Sequence, residues 1–155
     1  MKILAASRGL VILLVLFIGG QTLAAEYKIK VGSPLSISKM LSGEIGEKID
    51  ITLAFQQLDA IDSHGLAIIL PSSTANMKDE LLYAEKLRNI CFATVVVNGA
   101  APRYEKKFTR SYTSAMIVHD LAKTLEFVNK KFLPPKKVVL LASSTGSLAI
   151  VAFLV

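Results

Sequence analysis

Lys136-Lys137-Val138-Val139-Leu140-Leu141-Ala142-Ser143-Ser144-Thr145-Gly146-Ser147-Leu148-Ala149-Ile150-Val151 is the stretch whose reading decides the fold. Four consecutive aliphatics, Val138 to Leu141, have the pattern of a strand covered on both faces. Five small residues, Ala142 to Gly146, then force an abrupt turn, and the apolar run resumes at Leu148 as the first turn of a helix. Small residues suit such a corner because strand and helix pack closely there and a bulky Cβ would clash. Ser144 stands at the apex, with a helix N-terminus behind it to favour developing negative charge. Two other readings compete. Val138 to Val155 is 18 residues without a charge, the length of a minimal membrane span, but four hydroxyl residues and a glycine interrupt it. An ordinary Rossmann-like corner is the second; no lysine follows Gly146 as a phosphate-binding loop needs, and no Gly-x-Gly-x-x-Gly is present.

Upstream, strands and helices alternate. Ile49, Ile51, Leu53 and Phe55 alternate as a half-buried strand does. Leu66 to Leu70 is a continuous apolar run, read as a central strand. The cluster Ser72-Ser73-Thr74 is read as the cap of a helix over about 76–89, with Met77, Leu81, Ala84 and Leu87 on its inner face. Phe92 to Val97 is the next strand. Ile117, Leu121, Leu125, Val128 and Phe132 recur at the helical period over 114–132, and Pro134-Pro135 stops that helix. Between Glu26 and Gly46 at most one short strand is expected. This alternation implies an α/β fold whose sheet is parallel over this part.

The chain has 155 residues, 52% of them hydrophobic, which suits one domain with a real core. Lys2 and Arg8 flank a basic start, Leu10 to Ile18 is apolar, and Thr22-Leu23-Ala24-Ala25 supplies small residues. Residues 1–25 therefore read as a secretory signal peptide, and 26–155 as the mature domain of a secreted or periplasmic protein. The alternative is an uncleaved membrane anchor; after cleavage no stable membrane span is expected. Removing Lys2 and Arg8 with no acid takes the net charge from +6 to +4. The remaining basic residues come in scattered pairs without interleaved aromatics, which argues against a nucleic-acid partner. The single Cys91 lies between Ile90 and Phe92 and is expected to be a buried, inert thiol. No metal-ligand spacing is present, and no metal or cofactor is expected.

Taken in order, the chain resembles the N-terminal half of the dienelactone hydrolase branch of the α/β-hydrolases. Ala142-Ser143-Ser144-Thr145-Gly146 stands where that superfamily carries Gly-x-Ser-x-Gly, its nucleophile elbow. Leu70-Pro71-Ser72-Ser73-Thr74-Ala75 takes the place of a His-Gly-x-Gly-Gly-like loop, with Asp79-Glu80-Leu81 and Ala84-Glu85-Lys86-Leu87 in the helix beyond. Val97-Asn98-Gly99-Ala100-Ala101-Pro102-Arg103 resembles Val-Asp-x-x-Gly-x-Arg, and Val118-His119-Asp120 resembles the helix before the elbow. The resemblance covers residues 49–151.

It implies an α/β-hydrolase-like, mainly parallel sheet flanked by helices and incomplete on its C-terminal side. It implies Ser144 as nucleophile of an ester or lactone hydrolase acting on a small molecule. The backbone N–H of Thr145 and one from Ser72 or Ser73 would hold the oxyanion. The acid and the histidine of the triad would follow the serine, whereas His64 and His119 both precede it. The chain therefore reads as an N-terminal portion without its general base, inactive as it stands. The alternative is a non-catalytic remnant that at most binds a ligand or partner.

Overall fold

A computed structural model describes residues 25–56, 65–74, 76–105, 112–132 and 134–155. The expected signal peptide, except Ala25, and His64 lie outside the described residues. The elements run β1 (Ala25–Val31), α1 (Ile37–Leu41), β2 (Ile49–Gln56), β3 (Leu66–Leu70), α2 (Lys78–Arg88), β4 (Ala93–Asn98), α3 (Ala100–Glu105), α4 (Ser114–Lys131), β5 (Val138–Ala142) and α5 (Thr145–Leu154). The five strands form one sheet in the order β1-β2-β4-β3-β5.

That sheet is mixed. The centre is parallel as expected, with β3 pairing in parallel to β4 (Ile68 opposite Val95) and to β5 (Ile68 opposite Leu140). On the other side β2 runs antiparallel to both β1 and β4, with Leu53 opposite Tyr27 and Val97. The alternation Ile49-Ile51-Leu53-Phe55 is therefore that of an antiparallel strand with one covered face, while Leu66–Leu70 is buried on both.

Side chains sort by face. Leu66, Ile68, Leu70, Val95 and Val97 meet Met116, Ile117, Leu121 and Val128 of α4 and Ala149 of α5. On the opposite face Ile69 and Val96 meet Ala84 of α2, with Met77, Leu87 and Leu141 around them. Because β4 and β5 flank β3 on opposite sides, the chain leaves β3 toward α2 on one face and leaves β5 toward α5 on the other. The crevice beyond the carboxyl ends of β3 and β5 is thus a topological switch point, where open α/β sheets place their ligands.

Several local expectations change. The buried stripe of α2 is Met77, Glu80, Ala84 and Leu87, and Leu81 is 49% exposed. Ser72-Ser73-Thr74 does not cap α2, which starts at Lys78, where the Asn76 side chain accepts the Lys78 N–H at 3.1 Å. Strand β5 is only half-buried, since it pairs with β3 alone among the described residues. Cys91 is exposed, in a left-handed conformation (φ 65°) just past α2, where the chain reverses into β4. The reversal leaves the thiol exposed. Residues 138–155 form a strand and a ten-residue helix, and among the described residues no helix is long and apolar enough to cross a membrane.

Candidate functional site

Strand β5 ends at Ala142 and α5 starts at Thr145, so the corner is made in two residues. Ser144 is the N-cap residue, with φ 51° and ψ −125°. An N-cap serine normally sits in extended backbone and turns its hydroxyl back onto the helix N–H groups. Ser144 does neither: its side chain makes no capping bond, and the residue is exposed. Backbone of this kind costs a non-glycine residue about 1–3 kcal/mol, and its presence is a pointer to function. Around it the turn is tightly closed, with Gly146 N–H donating to Ser143 O at 3.0 Å and Ser147 Oγ to Ala142 O at 3.1 Å.

Gly146 explains the small residues. A Cβ there would lie 2.7 Å from Pro71 O and 2.9 Å from Ala142 Cβ. The start of α5 is therefore pressed against the loop leaving β3, which brings the expected serine and the expected oxyanion loop together.

That loop is held from two sides. Ser72 N–H donates to Glu80 Oε1 at 3.0 Å, and the Tyr104 hydroxyl donates to Ser73 O. A trans peptide points its C=O and N–H in opposite directions. Pro71 O faces Gly146, so Ser72 N–H faces away from the elbow, toward α2. No hydrogen bond engages the N–H of Ser73 or of Thr145 among the described residues. Of the donors named from the sequence, Ser72 is occupied, while Ser73 and Thr145 have no acceptor among the described residues.

Beyond the site lies a buried ionic knot absent from the sequence reading. Arg103, fully buried in α3, donates from Nη1 to Asp120 Oδ2 at 2.7 Å and from Nη2 to Asp120 Oδ1 at 2.9 Å. It also donates to Gly99 O, Gly32 O and Ser33 Oγ. The Tyr112 hydroxyl donates to Asp120 Oδ2, so that each carboxylate oxygen accepts at least one hydrogen bond. Burial works against the Arg103 charge, but the hydrogen bond and charge of Asp120, together with Tyr112, more than restore it, so its pKa is raised. Burial pushes the Asp120 carboxyl up, with Arg103 opposing, and pushes the Tyr112 phenol well up. The knot ties the ends of β1 and β4 to α4.

His119 belongs to that region and not to the elbow. It is 6% exposed, its Nε2 has no partner among the described residues, and that atom lies 3.0 Å from where a Cβ on Gly32 would be. Gly32 follows β1 and Ser144 follows β5, the two outer strands, so four inter-strand steps of ~4.8 Å separate them, roughly 19 Å. Among the described residues no histidine lies beside Ser144. None of them forms a group of three or more His, Cys, Asp or Glu that could hold a metal.

No protein-family model, curated protein or solved structure matches this chain.

Proposed function

We propose that this chain carries the nucleophile and the oxyanion donors of a serine hydrolase of the dienelactone hydrolase type, acting on an ester or lactone. The observation that carries the reading is Ser144 itself: a non-glycine residue at φ 51°, exposed, with a hydroxyl that does not cap its own helix. Attack by Ser144 Oγ on the carbonyl carbon would place negative charge on the carbonyl oxygen. The N–H groups of Thr145 and Ser73 then stabilise it, helped by the N-terminus of α5.

A serine hydroxyl is a weak nucleophile until a base takes its proton. With His119 toward the opposite edge of the sheet, the histidine and its acid must come from outside the described residues. On this reading the sheet is that of an α/β-hydrolase that continues past β5, and residues 1 to about 25 direct export to the periplasm or the medium.

The test needs no base. Phenylboronic acid adds through boron to a serine oxygen, the hydroxyl proton passes to water, and boron turns from trigonal to tetrahedral and anionic. Boron NMR of the full chain should show one tetrahedral adduct, lost in Ser144→Ala. No adduct, or one that survives Ser144→Ala, overturns the reading.

A further inference from the structure

Glu80 occupies a position that helical spacing reserves for an apolar residue. It lies in the buried stripe of α2 between Met77 and Ala84 and is 2% exposed. A buried carboxylate is costly unless its hydrogen bonds are satisfied, and this one is satisfied only by half. Oε1 accepts the Ser72 N–H at 3.0 Å, while Oε2 is buried with no partner among the described residues. Stability alone would favour leucine or methionine there.

What the carboxylate secures is the orientation of one peptide. Holding Ser72 N–H toward α2 holds Pro71 O toward Gly146, because the two groups of a trans peptide oppose each other. Tyr104 fixes the next anchor at Ser73 O. Between these two points the Ser73 N–H has no acceptor among the described residues, on the loop that abuts the start of α5. Were the Pro71–Ser72 peptide to flip, Ser72 N–H would swing toward the elbow and Pro71 O away, and the loop would lose its present register against Gly146.

We propose that Glu80 is a positioning residue, which sets the Pro71–Ser72 peptide by a hydrogen bond and so presents the Ser73 N–H to the oxyanion formed at Ser144. The inference rests on the reading of Ser144 as a nucleophile. It concerns the hydrogen bond and not the charge, which makes two conservative variants informative. Glu80→Gln keeps an oxygen at the same reach and loses the charge. Glu80→Asp keeps the charge and is one methylene too short.

The experiment is the affinity of the full chain for phenylboronic acid, read by boron NMR, beside amide exchange at Ser72 and a thermal melt. Loss of an oriented oxyanion donor weakens stabilisation of the tetrahedral anion by about tenfold or more. Glu80→Gln should bind within about threefold of wild type with Ser72 protected, even though its buried amide N–H lowers the melting temperature. Glu80→Asp should bind at least about tenfold more weakly with fast exchange at Ser72. If Glu80→Asp does not fold, Glu80→Met, of similar length without an acceptor, should show the same tenfold loss. Wild-type affinity in the folded Asp or Met variant overturns the proposal. Equal loss in Gln and Asp overturns it too, since charge or packing would then be what matters. Failure of wild type itself to form the adduct removes the nucleophile reading first, and this inference with it.

Discussion

Replacing Ser144 by glycine should make the protein more stable. With φ 51° and ψ −125°, Ser144 occupies backbone that glycine reaches freely and that a Cβ disfavours by about 1–3 kcal/mol. Glycine returns roughly 0.5–1 kcal/mol of that through the greater entropy of its unfolded chain. The serine hydroxyl contributes no capping bond that would be lost. The net expectation is a gain of about 1 kcal/mol, or about 4 °C in melting temperature for a domain of this size. Urea titration should show a higher midpoint with an unchanged slope. Ser144→Ala is the control, because it deletes the same hydroxyl and keeps the Cβ; it should stay within about 0.5 kcal/mol of wild type. A glycine variant no more stable than the alanine variant would refute the claim that the elbow is strained.

Two further outcomes follow from the buried knot and its neighbour. Arg103→Met leaves the Asp120 carboxylate buried without its partner and should cost about 3–5 kcal/mol in chemical denaturation, whereas Arg103→Met with Asp120→Leu should recover much of that. His119 has a pKa lowered from 6.5, first by burial, with Asp120 opposing and Lys123 and Arg103 adding to the fall. Its folded form therefore binds a proton less readily than its unfolded form, so its contribution is intact above about pH 6.5 and is lost as pH falls below that. Denaturation midpoints of His119→Leu should decline less than wild type between pH 7 and pH 5.

The elbow could be read from the sequence because its requirement is compositional. A strand, a two-residue corner and a helix demand small residues together, and Ala142 to Gly146 supply five. The central strands and α4 were legible for a similar reason: Leu66–Leu70 and the 117-121-125-128 stripe each carry their own period. The arrangement of polar groups was not. Arg103 and Asp120 are 17 residues apart on different helices, and a charged side chain gives no local sign that it is turned inward. Glu80 is hidden in the same way, since the apolar pattern points to Leu81, which is half exposed, over the charge beside it. Cys91 misled because its apolar neighbours do not reveal the left-handed turn that leaves it exposed. The antiparallel placement of β2 also depends on long-range pairing with Val97 and Tyr27, which the alternation of Ile49 to Phe55 does not encode.

The most direct measurement of the central claim is the acidity of a thiol at the elbow. In a Cys91→Ser background, Ser144→Cys places a titratable group at the N-terminus of α5, where the proposed oxyanion donors would act. Thr113→Cys places one at the ordinary cap of α4, where the native side chain accepts the Met116 N–H at 3.3 Å. A free thiol titrates near ~8.5, and helix N-termini lower that value. The rate of alkylation against pH should give the thiol of Ser144→Cys a pKa below ~8.5 and below that of the thiol of Thr113→Cys. A pKa in the Ser144→Cys variant equal to or above that in the Thr113→Cys variant would contradict the account, and Ser144 would then be a helix-capping position with no built anion site.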